Sequence, residues 1–210
     1  VWDLATTRTR LGERLAEEST VFWDATERDD AINDAQRFIA AVTRGVPQTL
    51  TGSVSQATPY LAVSGKLLGD YVTAGQVDGG RALGFTVQEL ADRAYPGWRT
   101  AEGTPRWAVV APDESRVYLT PTNTVADAVT VKVSVLPADL AADSDELFGG
   151  ETVMEKYQGP LLSMAAAFLL LKERYDQDAE RFYQFAIQEI SALGVDPARI
   201  PPLREAAPNG

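Results

Sequence analysis

The chain has 210 residues, 45% apolar and 23% charged, a composition that excludes global disorder and suits one large domain or two small ones. Its 19 Lys and Arg against 30 Asp and Glu leave a net charge of −11, so the overall field does not attract nucleic acid or anionic membrane. Cysteine and histidine are both absent, which removes disulfides, thiol catalysis, Cys-ligated metal centres, the Ser-His-Asp triad and His-based zinc sites.

The opening Val1-Trp2-Asp3-Leu4 is acidic and amphipathic, unlike a signal peptide, so no targeting segment is expected. Leu4, Leu11 and Leu15 share one face of a helix reaching about Glu18. Val21-Phe22-Trp23 is an apolar knot in a non-helical link. Thr26 with Asp29 spells a capping box for a second helix. Ile32, Ala35, Ile39 and Val42 carry its apolar face to about Arg44, and Gly45 and Pro47 end it.

From Gln48 the period changes to alternation. Strands are expected at 51–55, 60–63, 106–110, 117–120 and 129–136, with Asp113-Glu114-Ser115 turning between two of them. The last strand is the clearest, because Val129, Val131, Val133 and Val135 share one face. One helix intervenes, capped by Thr86 with Glu89 and running to about Arg93, before Tyr95-Pro96-Gly97-Trp98 breaks it. After Pro137 an acidic loop, 139–151, leads into helix capped by Thr152 with Glu155. Met154, Tyr157, Leu161, Ala165 and Phe168 mark its face, widened by Leu162 and Leu169. The run from Leu161 to Leu171 is 11 residues, well under the roughly 20 a membrane span needs. Phe182, Ala186, Ile190 and Leu193 continue to Gly194. Asp176-Gln177-Asp178 looks like a break between two helices, with one long bent helix as the alternative. Pro197, Pro201, Pro202 and Pro208 then predict an extended tail.

The expected fold is α+β. Residues 1–47 form the N-terminal helix pair of a helical bundle, 48–136 a β-rich insertion with one short helix, 137–195 the C-terminal helix pair, and 196–210 an extended arm. Its core should bring Leu161, Ala165, Phe168 and Leu169 against Ile32, Ile39 and Val42. Charge follows the division: 1–47 carries net −3, 48–136 net −1 and 137–210 net −7.

No catalytic set is visible. Asp139, Asp143, Asp145, Glu146 and Glu151 are the best metal candidate, yet Leu147 and Phe148 stand where a calcium loop needs another oxygen ligand and a glycine. A solvated acidic loop is the plainer reading. Glu17-Glu18 and Asp29-Asp30 are dense carboxylate pairs, but neighbours on a helix point about 100° apart and do not converge on a glycoside. Gly65-Lys66 is followed by Leu67, so there is no phosphate cradle, and Gly79-Gly80 reads as a turn. Trp2, Trp23, Trp98 and Trp107 lie among arginines, a base-stacking pattern that the net charge opposes; packing in a core or an interface is the alternative. No catalytic residue, metal or cofactor is expected.

Leu11-Gly12-Glu13, Phe22-Trp23-Asp24 and Ala31-Ile32-Asn33-Asp34-Ala35-Gln36 resemble the opening of the head-to-tail adaptor (connector) proteins of tailed bacteriophages. The likeness continues through Tyr95-Pro96-Gly97-Trp98, Trp107, Val117-Tyr118-Leu119, Pro121 and the valine-rich strand. It closes on Asp143-Ser144-Asp145, Tyr157, Leu161-Leu162, Ala165-Ala166, Asp178-Ala179 and Phe182-Tyr183-Gln184-Phe185, spanning about residues 4–193. The resemblance implies a non-enzymatic virion protein of the neck, assembled in the host cytoplasm. It implies a ring of twelve copies beneath the portal protein, a tail or nozzle protein below, and genome DNA passing through without sequence-specific binding or any membrane contact. It also implies a C-terminal segment that docks on the portal, here Arg199, Ile200, Pro201, Pro202, Leu203 and Arg204, a frayed terminus being the alternative. Two other classes stay open: a different tail-completion or interaction module, and a carboxylate-based metal-dependent enzyme.

Overall fold

The computed structural model describes residues 1–16, 22–63, 66–77, 81–124 and 126–206, and the protein is α+β. The chain divides into two compact units, Val1–Thr43 with Asp139–Gly210, which is helical, and Arg44–Ala138, which is β-rich.

In the helical unit, α1 (Leu4–Arg14), α2 (Ala25–Val42) and α4 (Gln158–Lys172) pack against one another, and α5 (Asp176–Ala192) packs on α4. Asp3 caps α1 by accepting from the Thr6 amide at 2.7 Å. That helix stops at Arg14, short of Glu18, where Ala16 turns to φ 53°. Val21 and the Glu17-Glu18 pair lie outside the described residues. Of the aromatic link, Trp23 is buried while Phe22 is exposed.

The capping box of α2 is Asp24 with Glu27, not Thr26 with Asp29. Asp24 accepts from the Glu27 amide at 2.9 Å, and Glu27 reaches back to the Asp24 amide at 3.1 Å. Both pairs have cap-like spacing, but Asp24 is the last residue in extended backbone (ψ 174°), which is what a cap requires.

Helix α4 is buried from Pro160 through Leu170, apolar on every side, as the central member of a packed helical unit must be. Thr152 does not cap it: Thr152–Tyr157 is a 3-10 turn without a side-chain cap, and Glu155 instead accepts from the Val1 amino group at 2.9 Å. The break before α5 falls at residues 173–175, where Arg174 has φ 63°, so there are two helices rather than one. Asp176 and Asp178 sit just beyond it, in the first turn of α5, where the helix dipole favours carboxylates. Gly194 at φ 95° ends that helix.

The C-terminal segment is not extended. Pro197–Arg199 forms a 3-10 turn and Leu203–Ala206 a short helix, α6. Proline forbids a helix interior but suits a first turn, where its missing amide is not needed. Pro197 starts the turn, and Pro201-Pro202 immediately precede α6. Pro208 lies outside the described residues.

In the β unit, β1 (Val46–Val54), β8 (Asp127–Leu136), β3 (Lys66–Val77) and β4 (Arg81–Ala82) make one sheet in that order. β2 (Tyr60–Ala62), β7 (Arg116–Thr120), β6 (Trp107–Ala111) and β5 (Gly84–Val87) make the other. All pairs are antiparallel except β5 with β6. The four valines of β8 at 129, 131, 133 and 135 are all buried. Strand β3 has no clean alternation in sequence: Gly69, Asp70 and Gly75 are poor strand residues, and its register on β8 shifts twice between Leu67 and Ala74. Helix α3 (Gln88–Ala94) is led in by Val87 with no side-chain cap, because Thr86 is spent in β5. Gly65 and Gly79-Gly80 lie outside the described residues.

Phe168 is buried on α4, with its ring edge-on to Phe38 of α2 at 6.2 Å. Phe168→Ala should cost about 3–5 kcal/mol in denaturant unfolding; a loss under about 1 kcal/mol would mean the helices do not bury that ring.

Candidate interaction surfaces

Three carboxylates of the acidic loop 139–151, Asp139, Asp143 and Asp145, have partners within the helical unit. Arg8 of α1 makes a two-pronged ion pair with Asp29 of α2 (2.8 Å on each branch) and reaches Asp143 at 3.1 Å. Arg37 of α2 joins Asp34 and Asp139. Asp145 accepts the amides of Ala141 and Ala142, each at 2.8 Å, and the Ala142 and Ala141 amides hold its carboxyl below the ordinary value. Beneath the charges two amide side chains of α2 read the loop backbone. Asn33 donates to the Leu140 carbonyl (3.1 Å) and accepts from its amide (2.8 Å), and Gln36 accepts from the Phe148 amide at 2.6 Å. The Leu147 amide donates to the Trp2 carbonyl at 3.0 Å, tying the loop to the start of the chain as well. The loop is solvated as expected, with Asp139, Asp143 and Glu146 exposed, while Asp139 and Asp143 also pair with arginines of α1 and α2. Among the described residues no cluster of three or more acidic side chains is arranged to hold a metal, and no helix is long and apolar enough to cross a membrane. Asp29 and Asp30 do not act as a pair, since Asp29 faces Arg8 and Asp30 faces solvent.

The sequence-selected core residues are all buried: Ile32, Ile39 and Val42 on α2, and Leu161, Ala165, Phe168 and Leu169 on α4. The C-terminal group is folded against α5. The Tyr183 hydroxyl donates to the Pro201 carbonyl, Leu203 is buried, and Arg204 lies 3.6 Å from Asp176. Burial pushes the Tyr183 hydroxyl up to about 12, so it remains a donor far into the alkaline range. Arg199, Pro202 and Arg204 stay exposed; Ile200 and Pro201 are half-buried.

The β unit carries a concave surface that the sequence did not single out. A groove of about 1090 Å³ runs between the α3 end and the β5–β6 edge. Buried Trp98, Val109 and Ala91 lie beneath it, and Tyr95 (60% exposed) and Trp107 (41% exposed) stand at its rim with Arg81 and Arg106. The Trp98 indole donates to Asp92 at 2.7 Å and its carbonyl accepts from the Thr120 hydroxyl at 2.6 Å, which fixes the floor. Behind it Trp98 meets Tyr118 edge-on at 5.5 Å, and Tyr118 meets Tyr60 at the same distance. Arg99 covers both Trp98 and Tyr118 at 4.8 Å, and Arg116 covers Tyr60 at 4.1 Å. Glu114 gathers this group: it accepts from Tyr118 and pairs with Arg99 at 2.9 Å and Arg116 at 3.7 Å. The Tyr118 hydroxyl first, and Arg99 next, hold its carboxyl below the ordinary value. A Cβ at Gly84 would lie 2.5 Å from the Trp107 ring, so a larger residue there would displace that ring. The sequence signal for the groove was present in Tyr95-Pro96-Gly97-Trp98 and Trp107, but the partners Arg81 and Phe85 come from strands that composition did not reveal.

Of the four tryptophans, Trp23 and Trp98 are buried, Trp2 is covered by Arg10 at 4.2 Å, and Trp107 is exposed beside the groove that Trp98 floors. A family model described as SU10 adaptor protein matches residues 3–206. No curated protein matches the chain.

Glu114 supplies a pH signature for the β unit. Its carboxyl is lowered from 4.5 in the folded chain, so its stabilising contribution is present above that value and is lost as pH falls through the depressed one. Acid titration of the near-UV signal of Trp98 should show this loss, and Glu114→Gln should flatten it. An unchanged acid profile in the variant would remove Glu114 from the network.

Proposed function

The chain belongs to the SU10 adaptor protein family, a phage head-to-tail adaptor family, and from that premise we propose that it is a structural neck component forming a ring of twelve copies between the portal and the tail. The portal protein lies above the ring and a tail or nozzle protein below it, and the genome passes through without sequence-specific binding. The observation that carries this reading is the family match across residues 3–206, which takes in both units and the folded C-terminal segment. The side-chain chemistry supports it: Asp29, Asp139, Asp143 and Asp145 are engaged by arginines or backbone amides. A ring subunit needs contact surfaces rather than reacting groups.

Charge supports the conduit role. Residues 1–43 and 139–210 together carry 11 basic and 22 acidic residues, while 44–138 carries 8 of each. The whole acidic excess thus belongs to the helical unit. A conduit with an acidic wall does not hold phosphates, whereas each basic contact would add counterion-release affinity and slow passage.

The C-terminal segment Arg199, Ile200, Pro201, Pro202, Leu203 and Arg204 is assigned to the portal, presented as a folded surface through exposed Arg199, Pro202 and Arg204. Native mass spectrometry of the chain with its portal protein should give twelve adaptor copies per portal ring. A chain that stays monomeric with portal present overturns the ring. The Arg199→Glu/Arg204→Glu variant should keep its melting temperature and lose at least tenfold in portal affinity. Undiminished binding would place the portal contact elsewhere.

A further inference from the structure

Building on the ring reading, we propose that the groove of the β unit receives a carboxylate-bearing segment from the helical unit of a second copy. The rim pairs exposed Trp107 and Tyr95 with Arg81 and Arg106. Trp, Tyr and Arg are the residue types that dominate binding energy at protein interfaces, and they do so in concave, desolvated settings.

The arginines define the occupant. In this chain Arg8, Arg14, Arg37, Arg99, Arg116 and Arg204 each have a carboxylate partner. Among the described residues Arg81 and Arg106 have none, and Glu102, the one carboxylate in the groove lining, pairs with neither. The groove therefore carries an excess of positive charge, two arginines against the single carboxylate of Glu102, and the helical unit holds a surplus of the opposite sign, 22 acids against 11 bases. A groove on one unit that fits the charge of the other unit makes a head-to-tail contact. Such a heterologous contact closes into a ring when repeated about an axis, whereas a self-complementary patch gives only a pair. The ionic component also sets register and suppresses wrong pairings at the stage of encounter.

The test uses the full chain, with and without portal protein. Trp107 is replaced by the photo-crosslinking residue p-benzoylphenylalanine, and the cross-linked peptides are mapped. The expected products join position 107 to residues 1–43 or 139–210 of another copy. In parallel, Arg81→Glu/Arg106→Glu should weaken self-association at least tenfold by sedimentation while thermal melting stays unchanged. Arg81→Gln/Arg106→Gln, which removes charge without reversing it, should fall between. Raising salt from about 50 to about 500 mM should weaken the wild type and leave the Gln variant nearly unaffected, because screening acts on the ionic part. Cross-links confined to portal, or to residues 44–138 of another copy, overturn the proposal. So does a ring that assembles normally from the charge-reversed variant, which would leave the ring reading itself standing. A wild-type chain that remains monomeric even with portal overturns both.

Discussion

The helical unit has to be closed across an insertion. Its two halves, Val1–Thr43 and Asp139–Gly210, are separated in sequence by the whole β unit, so no local contact joins α2 to α4. The loop that follows the insertion solves this by binding α1 and α2 before α4 begins. Asn33 and Gln36, both buried, satisfy backbone groups at Leu140 and Phe148. A buried amide with its partners in place fixes one register, and the same amide without them is costly, so the pairing is strongly directional. The ion pairs of Arg8 and Arg37 lie outside this layer and add less, being partly exposed. Once the loop is seated, α4 is delivered with its apolar surface toward α1 and α2, and burial contributes the larger share of the energy.

That closure explains what was legible in the sequence. Where a helix buries a periodic stripe, as α2 does with Ile32, Ile39 and Val42, spacing alone located it. The strand β8 was legible because its valines face one buried side in strict alternation. Helix ends were harder. Asp24 and Thr26 offer equivalent cap chemistry two residues apart, and only the backbone at Asp24 separates them. Thr152 and Thr86 have the right neighbours for a cap, yet a 3-10 turn and a parallel strand use those residues otherwise. The loop 139–151 is solvated, as a charge run usually is; what spacing does not show is the pairing of Asp143 and Asp139 with Arg8 and Arg37, more than a hundred positions away. The groove was legible only as a scatter of aromatic residues, since its rim is assembled from four separate segments.

The two units divide the physical work. The helical unit carries all of the net charge and uses part of it internally. The β unit is neutral overall and concentrates its aromatic surface in one place. Glu114 is the hinge of that concentration: a single carboxylate orders Tyr118, Arg99 and Arg116, and through their rings it fixes the wall on which Trp98 rests. A rigid floor matters for recognition, because aromatic side chains already held in place lose little entropy on docking.

The same reasoning applies to the C-terminal segment. A free proline-rich tail would search widely but lose its freedom on binding. Here the turn at Pro197, the hydrogen bond from Tyr183 to Pro201 and the burial of Leu203 remove most of that freedom in advance. The Tyr183 hydroxyl, raised to about 12 by burial, keeps its proton at neutral pH and well above it, so the tether does not open by titration there. A partner meeting this surface would therefore find Arg199 and Arg204 exposed on a backbone that is already folded. An acidic partner surface meets the demand, which distinguishes this end of the helical unit from the acidic majority around it.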